Sequence, residues 1–374
     1  MKDLVIDRVE VFTVGPPTDR LAWAVGMEGQ YMTATLLRLT TSGGLTGVAG
    51  AVSYSDRHYE TSIAETLRPM VPDLIGRSPL ERETLWLHFC SKTLPRAPQA
   101  QSLIDVALWD VTAKSAGLPL YRLLGGARTK ILSYASTPLL ASAEAYSEEV
   151  TKLVGEGFQA IKFHCWCDPK LDVPMVERVA RDHSDKMLDL MLDVEQRYDR
   201  DAALRVGAAL GRLGYGWFEA PLDDWDLFGY KDLTTRLSVP IVPAGNSIID
   251  PRAVAFALAQ GCWSKIRVDV MSCGGLTPAL KIMALAATHG TSVELQCWGY
   301  TLGQAANLHL MLGQANCTYF EQPTPYEVFE FGANTVIRTD TNGYVHAPPG
   351  AGLGIDLDWS VIEGAVLNRF ECRA

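Results

Sequence analysis

Residues 4–14 (LVIDRVEVFTV) and 32–40 (MTATLLRLT) alternate apolar and polar positions, the period-2 pattern of half-buried strands. TSGGLTG at 41–47 lies between the second run and a further apolar stretch, so an antiparallel meander is expected. Helical periodicity then takes over at 59–75, 79–91 and 98–116. The last segment, PQAQSLIDVALWDVTAKSAG, ends on Gly117 with Pro119 just beyond, a stop signal. Together these predict an N-terminal α+β domain over residues 1–128.

From Lys130 the rhythm changes to short apolar strands separated by helical segments. Strands are expected at 131–136, 159–165, 188–195, 216–222, 240–245, 264–270, 292–297 and 318–323. Helices fit between them, for example at 144–155, 174–183, 201–213 and 276–288. This repeat predicts an α/β fold with a barrel of parallel strands over residues 129–345. The tail, 346–374, carries the Gly/Pro-rich PPGAGLGIDLD and one short strand or turn.

The second barrel strand, AIKFHCW (160–166), breaks the usual apolar run of a buried parallel strand. Lys162 and His164 alternate with Ile161, Phe163 and Cys165, so both polar side chains share one face. They belong to a longer ladder. Lys162, Asp193, Glu219, Asn246, Asp269, Gln296 and Glu321 recur at intervals of 23 to 31 residues, one per strand–helix unit, at or near strand ends. In such a barrel the C-terminal strand ends converge on one mouth, where active sites sit. A lone acid at a strand end is ordinarily a helix cap or loop anchor. Seven polar residues at repeat spacing are another matter, because packed ionisable groups cost several kcal/mol each unless paired or metal-bound. Two carboxylates with an amide oxygen suit a hard cation such as Mg²⁺.

Composition narrows the class. The 374 residues carry a net charge of −10 with no long basic run, which disfavours nucleic acid and anionic membranes as partners. The eight cysteines contain no CxxC pair and read as buried thiols of a reducing compartment. The start, MKDLVIDRVEVF, places Asp3, Asp7 and Glu10 where a signal peptide would be apolar, and no run approaches the roughly 20 apolar residues of a membrane span. A cytoplasmic protein is expected. His88, His183, His289 and His309 fall in helical patterns and read as packing or surface residues. SCGGLT (272–277) lacks a nucleotide-binding glycine pattern, and no GxSxG elbow occurs.

SLIDVALWDVTAKSAGLPLYRLLGG (102–126), the ordered barrel strands, SCGGLTPALKIMALA and the closing PPGAGLGIDLD resemble the enolase superfamily, and within it the mandelate racemase-like branch. The resemblance covers nearly the whole chain. It implies a modified TIM barrel, (β/α)7β, under an N-terminal α+β capping domain completed by the C-terminal tail. It also implies Mg²⁺ held by Asp193, Glu219 and Asn246, with abstraction of the proton beside a substrate carboxylate and stabilisation of the resulting enediolate. Lys162 would neutralise the substrate carboxylate. His164 stands where the branch usually carries a second lysine, and would be the base, with Lys162 and Mg²⁺ favouring its neutral form. Glu321 matches the acid that hydrogen-bonds the carboxylate. Members of this family are commonly homo-oligomers, and one is expected here.

The chain departs from the family pattern at three positions. Asn246 replaces an acidic ligand, His164 replaces a lysine, and Gln296 stands where an Asp–His dyad would place its histidine beside Asp269. Glutamine neither takes nor gives a proton under these conditions, so a two-base racemase is disfavoured. Asp269 and Gln296 would supply hydrogen bonds. Over the mouth, the segment 15–32 offers Arg20, Trp23 and Tyr31 as substrate contacts, and Trp298 follows Gln296 as a pocket wall. The reading is a Mg²⁺-dependent lyase that dehydrates a sugar acid or related small-molecule carboxylate. Its rivals are a cycloisomerase or epimerase of the same family and a non-catalytic sugar-acid-binding relic of the fold.

Overall fold

The computed structural model describes residues 4–92 and 97–374. Asp3 lies outside them. Strands β1 (Ile6–Val14), β2 (Tyr31–Thr41) and β3 (Thr46–Ser55) form the expected antiparallel meander. Helices α1 (Ser62–Leu67), α2 (Arg82–Lys92) and α3 (Pro98–Ser115) follow. The helix expected over 59–75 is broken: α1 stops at Leu67 and a single 3-10 turn spans Val71–Leu74. Pro72 lacks an N–H and its ring would clash with the carbonyl four residues earlier, so the α-helix cannot run through it.

Helix α3 is buried nearly all round, and its polar side chains find partners elsewhere in the chain. Ser102 Oγ accepts from the Gly274 N–H at 3.0 Å, and Asp105 accepts from Thr277 N–H at 2.9 Å and Oγ1 at 2.6 Å. Asp110 accepts from the Val48 and Leu353 N–H groups at 2.9 and 2.7 Å. Each such acceptor would cost about 1–3 kcal/mol if left unpaired, so these bonds fix how the N-terminal domain sits on the rest. Burial pushes the Asp105 carboxyl up to about 6 against the hydrogen bonds from Thr277.

The short α4 (Leu120–Leu123) leads into eight parallel strands: β4 (Lys130–Thr137), β5 (Ala160–His164), β6 (Asp189–Asp193), β7 (Trp217–Glu219), β8 (Ile241–Val242), β9 (Ile266–Val268), β10 (Val293–Leu295) and β11 (Phe320–Pro323). Between them lie α5 (Ala143–Glu156), α6 (Pro169–Asp182), α7 (Arg200–Leu213), α8 (Leu227–Arg236), α9 (Pro251–Ala259), α10 (Leu276–Thr288) and α11 (Thr301–Gly313). This is a (β/α)7β barrel. Six strands pair in the order β11-β4-β5-β6-β7-β8, β9 pairs with β10, and the Ser264 N–H to Ile241 carbonyl bond links the two groups. Helix α11, which holds His309 in the helical pattern expected for it, is buried on every face.

The tail holds more than a turn. After β12 (Tyr344–His346), antiparallel to β4, come α12 (Trp359–Gly364) and β13 (Val366–Arg373). Strand β13 pairs antiparallel with β1 and returns the chain to the N-terminal sheet. No helix among the described residues is long and apolar enough to cross a membrane.

Candidate active site

Strand β5 shows how polar side chains come to face the barrel axis. Ile161 and Phe163 join the outer core, where Phe163 meets Tyr146 of α5 at a ring separation of 5.7 Å. The alternation then turns Lys162 and His164 inward. In register, His164 lies opposite Asp193 and Asp193 opposite Glu219, so neighbouring strand ends deliver their side chains to one level.

The floor of the mouth is an ion network in which Lys162, Glu219, Arg267 and Glu321 are each no more than 2% exposed. Lys162 Nζ lies 2.7 Å from Glu219 Oε1, 2.9 Å from Glu321 Oε1 and 3.2 Å from Asp193 Oδ2. Arg267 reaches Glu219 Oε1 at 2.9 Å, Glu321 Oε2 at 2.8 Å and the Tyr134 hydroxyl at 3.2 Å. Glu219 Oε2 accepts from Trp217 Nε1 at 2.9 Å, and Glu321 Oε2 also accepts from the Cys297 N–H at 2.8 Å. Burial and Arg267 oppose the Lys162 charge, yet Glu219 and Glu321 outweigh them and hold its pKa well above the lysine range. Burial raises Glu219, whereas Arg267 and Lys162 overcome burial at Glu321 and hold it far below the carboxylate range.

Above this floor stands His164. Its Nδ1 lies 2.6 Å from the Thr137 carbonyl, which can only accept, so the proton of the neutral ring sits on Nδ1 and the lone pair on Nε2. Nε2 is 3.2 Å from Glu195 Oε1 and 3.5 Å from Asp193 Oδ2. Burial disfavours the imidazolium, but the Glu195 hydrogen bond and the Asp193 charge prevail and raise the pKa above the ordinary value. Lys162 does oppose the imidazolium, as expected, but the carboxylates beside Nε2 outweigh it. Asp269 accepts from Asn307 Nδ2 at 2.7 Å, Met271 N–H at 2.8 Å and Ser272 Oγ at 3.2 Å, and does not hydrogen-bond Gln296.

A cavity of about 260 Å³ gathers Lys162, His164, Asp193, Glu219, Asn246, Asp269, Gln296, Trp298, Glu321 and Trp23 in its lining. Arg20 is exposed, with its guanidinium over the Tyr31 ring at 4.5 Å, outside that lining. Three contributors were missed in the sequence. Arg267 lies on β9 two residues before Asp269, so the strand period already put it on the inward face, whereas Glu195 lies past the end of β6 in the turn after Asp193. Asp224, fully buried, accepts from the N–H groups of Ala244, Asn246 and Ser247 at 3.0, 2.9 and 2.9 Å and so shapes the loop that carries Asn246. Glu195 and Ala220 follow their strands with φ of +52° and +48°, a left-handed backbone that costs non-glycine residues of order 1–3 kcal/mol.

His164, Asp193 and Glu195 offer three ligand atoms within 4.8 Å of one another, an arrangement that could hold a metal ion. The charge balance fits a divalent cation. Five carboxylates (Asp193, Glu195, Glu219, Asp269 and Glu321) face one cavity against Lys162 and Arg267, leaving an oxygen-rich negative excess. Both oxygens of Glu219 accept from Lys162, Arg267 and Trp217, and both oxygens of Asp193 are engaged by Lys162 and the Glu195 N–H.

A capped barrel whose strand ends gather acids, a lysine and a histidine in one mouth defines an enzyme of the barrel type. Residues 8–125 match the mandelate racemase/muconate lactonizing enzyme N-terminal domain, and residues 145–361 match the enolase C-terminal domain-like family. The chain belongs to the enolase superfamily, in its mandelate racemase/muconate lactonizing enzyme branch. It is 28% identical over 377 residues to muconate cycloisomerase 1 of Rhodococcus opacus, covering 97% of this chain and 99% of that one. A solved structure from Pseudovibrio sp., assigned to the same mandelate racemase/muconate lactonizing group, superposes with a TM-score of 0.97 at 39% identity over the whole of both chains. D-glucarate dehydratase from Agrobacterium tumefaciens, complexed with magnesium, superposes with a TM-score of 0.83 at 27% identity over 98% of this chain and 100% of that one. Further relatives include dehydratases, cycloisomerases and epimerases.

Proposed function

We propose that the protein is a Mg²⁺-dependent hydro-lyase that removes the proton beside the carboxylate of a sugar acid or related hydroxy acid. The observation that carries this reading is the fixed tautomer of His164. Its Nδ1–H is tied to the Thr137 carbonyl, and its Nε2 lone pair sits between acids of the cavity. Asp193, Glu219 and Asn246 would hold the cation, which supplies charge to offset the enediolate formed when the proton leaves. His164 takes that proton and returns it to the departing β-hydroxyl. Gln296 cannot serve as a second base, so a one-base elimination accounts better for these residues than a racemisation. Lys162 supports the site from below, as a counter-charge to Asp193, Glu219 and Glu321. The magnesium-complexed dehydratase relative supports both the ion and the reaction class.

Deuterium wash-in at the α-carbon, screened over a library of acid sugars with Mg²⁺, tests the reading before any product is known. Exchange is expected in the native chain and a loss of at least about 10³-fold in His164→Asn, while its Mg²⁺ affinity stays within about threefold. Loss of Mg²⁺ binding in that variant would instead make His164 a ligand, and no exchange with any acid would sink the enzyme reading. Cycloisomerisation is the second reading, carried by the full-length match to muconate cycloisomerase 1. Product analysis by NMR separates the two, since only dehydration releases water.

A further inference from the structure

The cavity has two unlike sides. Trp23, from the segment between β1 and β2, stands edge-on to Tyr54 of β3 at 5.2 Å and to Trp298 at 6.4 Å. Trp298 packs in turn on Phe329 at 5.5 Å and on the His164 ring at 5.3 Å. Trp23, Val52, Tyr54 and Trp298 all line the cavity, and Met32, Val328 and Phe329 brace the last three from behind as a buried cluster. The Tyr54 hydroxyl donates to the Trp298 backbone carbonyl at 3.4 Å, so it is turned toward its own wall. On the opposite side, the two cations of the lining, Lys162 and Arg267, are both committed to Glu219 and Glu321.

We infer that the enzyme takes monocarboxylates with an uncharged far end, acid sugars of the aldonate type, in preference to dicarboxylates. This rests on the proposed function only for which end of the substrate reacts. With the reactive carboxylate facing the cation that the proposed function requires and the α-proton at His164, the carbon chain would run toward the rings of Trp23, Tyr54 and Trp298. Aromatic faces there accommodate the C–H faces of a hydroxylated chain. A second carboxylate would be desolvated against those rings, next to a lining already rich in acids, while Lys162 and Arg267 remain held by their own partners. Rejection of the wrong partner by uncompensated charge is a recurrent route to specificity.

The test uses the full chain with Mg²⁺ and a panel of aldonates and aldarates matched in length and configuration. Calorimetry gives the affinity, and NMR of α-exchange or product gives kcat/KM. The best monoacid is expected to exceed its matched diacid by about 100-fold or more in both readouts. Trp23→Arg is expected to narrow that gap at least about tenfold by improving the diacid. Diacids that bind as tightly as monoacids, or tighter, would overturn the inference, as would binding of neither class. Monoacid binding without α-exchange leaves the preference standing and overturns the proposed proton abstraction instead.

Discussion

Lys162 Nζ lies 2.7 Å from Glu219 Oε1 inside a network that also binds Asp193, Glu321 and Arg267. A lysine expected to receive a substrate carboxylate is thus already a buried counter-ion for three of the protein's own acids. Lys162→Met is expected to leave that cluster under-compensated and to lower stability by about 3–5 kcal/mol, the cost of breaking a buried ion pair from one side. Urea unfolding of the native chain and the variant measures it. A variant of native stability with only a raised KM would mean that Lys162 serves the substrate and not the fold.

Glu195 carries a prediction about pH. A general base works unprotonated, so the rate falls as pH drops through its pKa. The Glu195 hydrogen bond is the foremost influence raising the His164 pKa. In Glu195→Gln the imidazolium loses that support, its pKa drops, and the acidic limb of the kcat/KM profile is expected to move to lower pH. A limb that stays in place shows that His164 does not govern it.

Asp224 holds the loop after β8 through three backbone N–H groups. Asp224→Ala leaves those donors without their acceptor and is expected to cost about 1–3 kcal/mol per group that water cannot reach. Because the loop carries Asn246, Mg²⁺ affinity is expected to fall in the same variant. Denaturant midpoints and a Mg²⁺ titration by calorimetry check both, and the titration should show the loss well below the unfolding transition.

His309 of α11 gives a stability effect far from the mouth. Its Nδ1 accepts from the Tyr121 N–H and its Nε2 donates to the Leu353 carbonyl, both at 3.0 Å, so the buried ring is a satisfied neutral tautomer. Burial lowers its pKa to about 4. The unfolded chain takes up this proton near pH 6.5 and the folded chain only near pH 4, so the contribution is intact above 6.5 and lost as pH falls through that window. The loss is expected to reach about 2 kcal/mol by pH 5. Buried acids with raised pKa, Asp105 among them, oppose it. The measurement is therefore a difference: unfolding free energies at pH 7.5 and 5 for the native chain and His309→Gln, with the steeper fall expected in the native chain.

The barrel was legible because its strands are short apolar runs at a regular spacing, and because Lys162, Asp193, Glu219, Asn246, Asp269, Gln296 and Glu321 punctuate them at the repeat. The period of two in AIKFHCW was enough to put Lys162 and His164 on one inward face. That same period held Arg267, while Glu195 sits in the turn after β6, and a single acid or arginine inside IRVDV or DVEQR has no partner visible in the sequence. Helix α3 was legible as a helix, yet the reason for Ser102, Asp105 and Asp110 on a buried surface lay in Gly274, Thr277, Val48 and Leu353, distant along the chain.

What the sequence determined by itself, then, was local and periodic: which segments pair or coil, which faces turn inward, and the ladder of strand-end side chains that reaches the mouth. The tertiary structure alone decided how those side chains share charge. Lys162 and Arg267 are bound by Glu219 and Glu321, His164 is flanked by two acids with its tautomer set by Thr137, and aromatic rings from the N-terminal domain close the far side. Periodicity fixes direction from a residue's own strand. The state of a buried charge depends on distances of a few ångströms to groups that the chain brings together only on folding.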